Sequence, residues 1–194
     1  MQIFLIRHGL TELGEQKRYQ GSVDTPLSEN GRKQLQSAGF VPELLAVSPL
    51  LRARETARVL FPNSKQTVIP GLQEMNFGAF EGRAWWEMEN DPRYRTWVDG
   101  GCLDCCPGGG EDREEFSLRV CSSFTALLED ALAAELENMA VVAHGGTQMA
   151  ILEKWGAPKR AYYQWQTACG HGWLLETDLW PDSLRVSGEV DYTK

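Results

Sequence analysis

The sequence lacks the long apolar runs of a membrane protein, because no uninterrupted apolar stretch approaches the length of a bilayer-spanning helix. It also lacks an excess of positive charge: 19 lysines and arginines stand against 27 acidic residues, for a formal net charge of -8. Proteins that hold nucleic acid or acidic membranes through non-specific charge are basic, so we expect neither partner. A small anionic substrate stays compatible, since one local cationic pocket can outweigh distant charges that salt screens.

Cysteines are few and odd in number, five in 194 residues, which excludes a small disulfide-dense scaffold. The sequence does not open on a basic segment and an apolar leader, so we expect no export signal and a cytoplasmic location. Hydrophobic content of 42% and charged content of 24% are ordinary for a globular protein, and we find no internal repeat or linker. The length suits one domain over residues 1–194.

Short apolar runs alternate with helical patterns along the chain. Strands are predicted at 3–6, 44–47, 67–69, 140–143, 173–176 and 184–186, and helices at 28–39, from 48 onward, 114–137, 147–155 and 158–165. Ser28 and Ser48 are the predicted N-caps of the first two helices, and residues 10–27 are predicted to form a loop. This alternation predicts an α/β fold, a three-layer α/β/α sandwich with a mainly parallel central sheet.

Residues 72–112 interrupt the alternation with a concentration of aromatic side chains among acidic ones. We expect an aromatic-rich insertion over the active site, with a helix near 83–90 and looser chain after it. Trp85 and Trp97 are the candidates for a lid, since aromatic rings stack favourably on a flat heterocycle. The alternative is that these aromatic residues only pack the insertion onto the core.

Two predicted strands end in a histidine followed by glycine, at His8 and His144. Arg7 precedes the first histidine, and Arg52 lies on the helix after another strand. Ligands of open α/β sheets bind beyond the carboxyl ends of the strands, so we expect these four side chains to converge there. Taken alone, Arg7 and His8 could equally be ordinary polar residues at a strand end.

Two guanidiniums and two imidazoles together form a pocket suited to a phosphoryl dianion, which arginine binds through two parallel hydrogen bonds. The backbone N–H of Gly145, at a predicted helix start, adds a further donor. A histidine facing a bound phosphoryl group can also attack it as a nucleophile. The same cationic groups would stabilise the transition state, so we expect no metal and no cofactor.

The motifs of this sequence resemble those of the histidine phosphatase (phosphoglycerate mutase-like) superfamily. They occur in the family's order: LIRHGLT at 5–11, YQG at 19–21, PLSENG at 26–31, SPLLRA at 48–53, LQEMNFG at 72–78 and VAHGG at 142–146. The resemblance covers most of the chain. Any one of these motifs is weak on its own, but their order is specific.

The resemblance implies a metal-independent phosphomonoesterase in which His8 becomes phosphohistidine. It implies that the phosphoryl group is bound by Arg7, Arg52 and His144, and that further substrate contacts come from Gln20, Gly21 and Gly145. Glu74 would donate a proton to the leaving alcohol and later help to activate water, a role that a site shielded by aromatic residues would favour. The alternative for Glu74 is a solvated loop acid.

One position departs from the family pattern. The family often has an asparagine seven residues after the arginine, where its amide contacts phosphate, and this chain has Gly14 there. A donor is therefore missing unless a backbone amide or Gln20 replaces it. We expect activity to survive, because the charged groups remain, with a lower affinity for phosphate.

The substrate is expected to be a small phosphorylated metabolite. Mutases of the superfamily are longer, which favours a phosphatase, and the segments at 74–81 and 107–111 resemble the α-ribazole phosphatases of cobalamin biosynthesis. A broad-specificity sugar-phosphate phosphatase, a mutase-like enzyme and a non-catalytic phospholigand-binding domain stay open as alternatives. A homodimer is also left open.

Two other signals are set aside. Cys102, Cys105 and Cys106 form a cluster, but only one pair has suitable spacing for zinc, which prefers four ligands. Free thiols are expected there. His171 is expected to be a structural histidine.

Overall fold

The chain folds around a seven-stranded mixed sheet, and the computed structural model describes all 194 residues. The strands are β1 (Gln2–Arg7), β2 (Leu44–Val47), β3 (Gln66–Val68), β4 (Asn138–Ala143), β5 (Gly156–Ala157), β6 (His171–Glu176) and β7 (Leu184–Asp191). Their order in the sheet is β3-β2-β4-β1-β6-β7-β5. Only β6 runs antiparallel to its neighbours, β1 and β7, so the predicted mainly parallel sheet is confirmed.

Seven α-helices connect the strands. They are α1 (Glu12–Glu15), α2 (Glu29–Gln34), α3 (Leu51–Leu60), α4 (Trp85–Met88), α5 (Pro92–Asp99), α6 (Arg113–Ala133) and α7 (Gly145–Trp155). Three 3-10 turns occur at Pro70–Leu72, Gly78–Phe80 and Tyr162–Trp165. None of the helices combines the length and the apolar character needed to cross a bilayer.

The sheet is covered by helices on both faces. Successive side chains of a strand point to opposite sides, and here both sides carry apolar side chains that the helices bury. Ile3 and Leu5 of β1 pack in a large hydrophobic cluster that includes Phe116 and other residues of α6 and α7. Ile6, on the opposite face, packs in a second cluster with Ala53 and other residues of α3. This arrangement confirms the three-layer α/β/α sandwich.

Several predicted helix boundaries were wrong. The loop prediction for 10–27 missed α1, which Thr11 caps by accepting from the Gly14 N–H over 3.0 Å. Ser28 does cap α2, but that helix ends at Gln34 and not near residue 39, because Leu35 turns to extended backbone and bridges to Thr193. The predicted helix at 158–165 is only the short 3-10 turn at its end.

The insertion at 72–112 is more ordered than predicted. Helix α5 occupies the region expected to be loose chain, with Pro92 in its first turn and Asp91 accepting from the Arg93 N–H over 3.0 Å. Four aromatic rings of the insertion and the ring of Tyr19 form an aromatic cluster, with neighbouring ring centroids 5.3–6.2 Å apart. The members of the cluster are Tyr19, Phe77, Phe80, Tyr94 and Trp97. These rings pack the insertion against the loop that carries Tyr19.

Candidate active site

The carboxyl ends of β1 and β4 lie side by side. The two strands pair in parallel with Arg7 opposite Ala143, and the His8 N–H donates to the Ala143 carbonyl over 2.9 Å. The residues that follow the strands, His8 and His144, are therefore neighbours, with ring centroids 5.2 Å apart in an edge-to-face arrangement. The sheet register brings together histidines from opposite ends of the chain.

Arg52 reaches this point from helix α3. Its side chain is fully buried, and Nε donates to His8 Nε2 over 3.3 Å. The terminal guanidinium nitrogens donate to the carbonyls of Val23 over 2.8 Å and Gly21 over 2.7 Å. Burial lowers the pKa of Arg52, but a guanidinium keeps its charge in proteins. A fixed cation therefore lies against the His8 ring.

The loop that holds Arg52 requires glycine at position 21. Gly21 has a φ of +52°, and a Cβ there would lie 2.2 Å from Glu81 Oε1. Glu81 Oε1 accepts from the backbone N–H of Ser22 over 2.6 Å and from that of Phe77 over 3.0 Å. Glu81 thus ties the loop to the insertion, and Gly21 both lines the cavity and gives its carbonyl to Arg52.

His8 is held as a neutral imidazole whose ring lone pair accepts a long hydrogen bond from Arg52. Because carbonyls only accept, the 2.7 Å contact between Nδ1 and the Gly9 carbonyl places the ring proton on Nδ1. Burial lowers the pKa of His8 well below its usual value, and the charges of Arg52 and Arg7 lower it further. The lone pair on Nε2 therefore faces the Arg52 N–H. A neutral imidazole between two cations can attack a phosphorus atom.

Arg7 ends β1 and lines the same cavity as His8. One terminal nitrogen donates to the Thr167 carbonyl, whereas Nε is buried and has no hydrogen-bond partner in the protein. The Thr167 hydroxyl donates to Gln148 over 2.8 Å, and the Gln148 amide donates to the Leu5 carbonyl over 2.8 Å. This chain of buried hydrogen bonds, which no sequence motif indicated, fixes the guanidinium at the strand end.

His144 is fully buried and does not itself line the cavity. Its Nε2 lies 2.6 Å from the Ser48 hydroxyl, and its Nδ1 has no hydrogen-bond partner in the protein. Burial lowers the pKa of His144 well below its usual value, and Arg52 and His8 lower it further. The prediction that Ser48 caps a helix was wrong: α3 begins at Leu51 without a side-chain cap, and Ser48 contacts a site histidine instead.

Helix α7 begins with two glycines that line the cavity. The Gly145 backbone lies beside the Arg7 guanidinium, whose Cζ would be 3.5 Å from a Cβ at that position. A Cβ at Gly146 would lie 2.3 Å from Glu74 Oε1. Glu74 Oε2 accepts from the Gly146 N–H over 3.1 Å, and Oε1 accepts from the Met75 N–H over 2.9 Å. These contacts hold the carboxyl group in the cavity at the N-terminus of α7.

The Gln20 side chain is oriented by two hydroxyl groups. Thr11 and Thr25 donate to its Oε1 over 2.7 and 3.2 Å, which leaves the Nε2 protons available to another acceptor. A Cβ at Gly14 would lie 3.4 Å from this Nε2. Gln20 lines the cavity, so its amide lies next to the position where a side chain at residue 14 would begin.

The cavity has a volume of about 730 Å³, far larger than a phosphate ion needs, and its wall away from the histidines is aromatic. Trp85 and Trp97 both line it, but Trp97 is only 5% exposed and belongs to the aromatic cluster, whereas Trp85 is 53% exposed. Tyr162 and Tyr163 add two rings that the sequence patterns did not indicate, because they lie outside the insertion. The wall suits a flat apolar group.

The remaining histidine and the cysteine cluster lie away from this cavity. His171 contacts Glu189 and Asp191 at 3.4 and 3.2 Å and does not line the cavity. One group of three potential metal ligands occurs, formed by Cys105, Asp112 and Glu115, but none of them lines the cavity. Of the three clustered cysteines only Cys102 lines the wall.

The lowered histidine pKa values predict a loss of stability in mild acid. The unfolded chain takes up protons on His8 and His144 near pH 6.5, whereas the folded chain resists, so stability is full above this pH and falls below it. We expect the two groups to lower the free energy of unfolding by about 2–3 kcal/mol between pH 7.5 and 5.5. Urea unfolding of the wild type and of the His8→Gln/His144→Gln variant measures this, and an equal pH dependence in both would contradict it.

Comparisons with known proteins identify the family of the chain. A model of the histidine phosphatase superfamily (branch 1) matches residues 3–177, so the chain belongs to this superfamily. The adenosylcobalamin/alpha-ribazole phosphatase of Escherichia coli (strain K12) is 32% identical over 199 residues, which cover 96% of this chain and 95% of that protein. A broad-specificity phosphatase of Saccharomyces cerevisiae is 29% identical over 165 residues, which cover 79% of this chain and 69% of that protein.

The structural comparison extends over nearly the whole chain. The crystal structure of the alpha-ribazole phosphatase from Shigella flexneri has a TM-score of 0.81 and 28% identity, and the match covers 96% of this chain and 94% of that one. Membership of the superfamily, together with the similarity to phosphatases over nearly the whole chain, identifies the chain as a phosphoric monoester hydrolase, as its motifs predicted.

Proposed function

We propose that the enzyme hydrolyses α-ribazole 5'-phosphate in two steps, through a phosphohistidine on His8. The observation that carries this proposal is the neutral His8 ring, whose Nε2 lone pair faces Arg52 at one end of a cavity with aromatic walls. The similarity to alpha-ribazole phosphatases over nearly the full chain supports the choice of substrate.

In the first step His8 Nε2 attacks phosphorus, so that an N–P bond forms and the P–O bond to the alcohol breaks. Arg7 and Arg52 pair with the phosphoryl oxygens, and the Gly145 N–H adds a hydrogen bond as negative charge develops. We propose that His144, which is buried beside the His8 ring in the free enzyme, adds a further hydrogen bond once the phosphoryl group is bound. Glu74, held in the same cavity, gives its proton to the departing oxygen. The two guanidiniums supply the positive charge that a metal ion provides in other phosphatases.

In the second step the Glu74 carboxylate takes a proton from water. The water oxygen attacks phosphorus, the N–P bond breaks, and inorganic phosphate leaves with His8 neutral again. The low pKa of His8 supports this step, because a buried ring next to Arg52 is stable without a charge. Glu74 then carries the proton needed for the next cycle.

Gln20 and Gly21 complete the proposed substrate contacts. The Nε2 group of Gln20 is directed by Thr11 and Thr25 and lines the cavity, so it can donate to a phosphoryl oxygen. Gly21 acts through the carbonyl that holds Arg52. We propose that Gln20 compensates only in part for the amide that the family often has at position 14.

Gly14→Asn tests that compensation. The added amide provides a second donor beside Gln20, so we expect the inhibition constant of inorganic phosphate to fall about tenfold, the effect of one hydrogen bond to a charged group. Gly14→Ala is the matched control, since its Cβ meets the same neighbours, Leu10 and Thr11 at 3.2 Å, without adding a donor. If the asparagine variant binds phosphate no more tightly than the alanine variant, Gln20 already replaces the missing amide in full.

The choice of substrate rests on the aromatic wall. α-Ribazole phosphate carries a benzimidazole ring on its ribose, and the exposed face of Trp85 lines the cavity where such a ring can stack. Ribose 5-phosphate offers the same leaving oxygen without the ring. We therefore expect kcat/KM for α-ribazole phosphate to exceed that for ribose 5-phosphate by at least about tenfold.

The experiment measures both substrates in the presence of EDTA. Trp85→Ala should lower kcat/KM about tenfold for α-ribazole phosphate and little for ribose 5-phosphate. Trp86→Ala is the matched control, because this neighbouring exposed tryptophan does not line the cavity. Equal kcat/KM for α-ribazole phosphate and ribose 5-phosphate, with no effect of Trp85→Ala, would instead identify a broad-specificity phosphatase like the Saccharomyces cerevisiae relative.

We propose further that residues 1–194 form one domain acting in the cytoplasm on a free metabolite. All five cysteines are unpaired, which supports a reducing compartment. The net charge of -8 supports the absence of a nucleic-acid partner. Whether two copies associate as a homodimer stays a prediction for size-exclusion chromatography with light scattering.

A further inference from the structure

We propose that Ser48 is a positioning residue that fixes the tautomer of His144: its hydroxyl donates to Nε2, so that the imidazole proton stays on Nδ1. The tautomer follows from the contacts alone, whereas its use in catalysis rests on the proposed function. The contact joins the end of β2 to the end of β4, because the Ser48 N–H donates to the Val142 carbonyl over 3.0 Å. Both side chains are fully buried, and their polar atoms are 2.6 Å apart.

The assignment follows from counting protons. A serine hydroxyl has one proton to donate and lone pairs that accept. One lone pair of Ser48 Oγ already faces the Leu50 N–H, over 3.4 Å, and the only other polar contact of Oγ is His144 Nε2. If Nε2 carried the proton, Oγ would accept from two donors and its own proton would be buried without an acceptor. The arrangement that satisfies the hydroxyl leaves Nε2 bare.

His144 is neutral, so a bare Nε2 requires the proton on Nδ1. Its pKa lies well below the usual value because of burial and of the nearby Arg52 and His8. Nδ1 is also one of the few buried side-chain nitrogens without a partner in the protein. An N–H at this atom attracts a phosphoryl oxygen, whereas the other tautomer would present a lone pair to an anion and repel it.

The two site histidines then share one tautomer and use it in opposite ways. His8 has its proton on Nδ1, held by the Gly9 carbonyl, and keeps a lone pair for attack on Nε2, where it accepts from Arg52 in the free enzyme. His144 has its lone pair held by Ser48, which leaves the N–H of Nδ1 without a partner in the protein. On the proposed function, this N–H is the group that donates to the bound phosphoryl oxygen. One ring is set as a nucleophile and the other as a donor, each by a neighbour that contacts its opposite nitrogen.

Nitrogen-15 NMR of histidine-labelled wild-type enzyme tests the tautomer without reference to turnover. We expect His144 to show a pyrrole-type Nδ1 and a pyridine-type Nε2 at pH 7.5, with its signals assigned by their loss in His144→Gln. A pyrrole-type Nε2 in the wild type overturns the proposal. In Ser48→Ala we expect the two nitrogen signals to move towards each other, as both tautomers become populated.

Rapid-quench measurement of enzyme phosphorylation tests the catalytic consequence. We expect Ser48→Ala to slow phosphorylation of His8 about 10- to 100-fold, somewhat less than the outright loss of a transition-state donor costs. Ser48→Thr, which keeps the hydroxyl, should recover much of the rate. Ser28→Ala is the control for loss of a buried serine hydroxyl, since Ser28 caps α2 and donates to Glu15 but does not line the cavity. An unchanged rate and tautomer in Ser48→Ala overturn the positioning role, whereas a wild type that is never phosphorylated refutes the proposed function and leaves the NMR result standing.

Discussion

His8→Ala is expected to lower kcat by about 10⁵-fold or more. Removing the nucleophile of a covalent enzyme leaves only the rate enhancement that binding and charge stabilisation provide, and such losses reach about 10⁶-fold. No other histidine can take over the attack, because Nε2 of His144 is engaged with Ser48 and His171 does not line the cavity. Binding of inorganic phosphate should survive in His8→Ala, since both guanidiniums remain.

Acid-labile phosphate provides the matching measurement. The wild type, quenched during turnover of labelled substrate, should retain label that is stable to base and lost in acid, and His8→Ala should retain none. His171→Ala is the matched control, because this histidine contacts Glu189 and Asp191 away from the cavity. Label that persists in His8→Ala would place the covalent bond elsewhere and contradict the assignment of His8.

Glu74→Gln is expected to have the second largest effect, about 10²- to 10⁴-fold on kcat for an alkyl phosphate. The glutamine keeps the shape of the side chain but provides no proton for the leaving alkoxide. The p-nitrophenolate ion leaves without protonation, so the same variant should phosphorylate itself from p-nitrophenyl phosphate at a rate much closer to that of the wild type. The difference between the two substrates is the signature of a proton donor.

Single-turnover kinetics with ribose 5-phosphate and p-nitrophenyl phosphate measure this difference, and the second substrate serves as the internal control. Glutamine leaves one of the two N–H groups that contact Glu74, those of Gly146 and Met75, without a carboxylate acceptor. The thermal midpoint of the variant should therefore be recorded beside its rates. An equal loss of phosphorylation rate on both substrates would assign Glu74 a structural or binding role and not proton donation.

The fold and the meeting point of the site were predictable because both follow from local patterns. Buried strands read as short apolar runs, so 3–6 and 140–143 identify β1 and β4. Once these strands are taken as parallel neighbours, the residues after them must meet at one edge, as His8 and His144 do. The position of these histidines in the chain, directly after the two strands, was enough to predict that they lie close together.

What the sequence did not reveal depends on contacts between distant segments. Ser48 precedes a proline, a pattern that indicates a helix start, and its actual partner lies 96 residues further on. Tyr162 and Tyr163 line the cavity because the 3-10 turn that carries them packs against α7, a contact that no sequence periodicity indicates. Helix α5 was missed because its apolar residues pack with Tyr19, outside the segment itself.

The carboxylate of Glu81 has a mechanical consequence. It accepts hydrogen bonds both from Ser22, in the loop whose carbonyls bind Arg52, and from Phe77 in the insertion. The cavity wall at Phe77 and the loop that positions Arg52 are therefore mechanically connected through one carboxylate. A bulky substituent that displaced Phe77 would also displace the carbonyls that hold the Arg52 guanidinium. Poorly fitting esters would therefore react more slowly as well as bind more weakly.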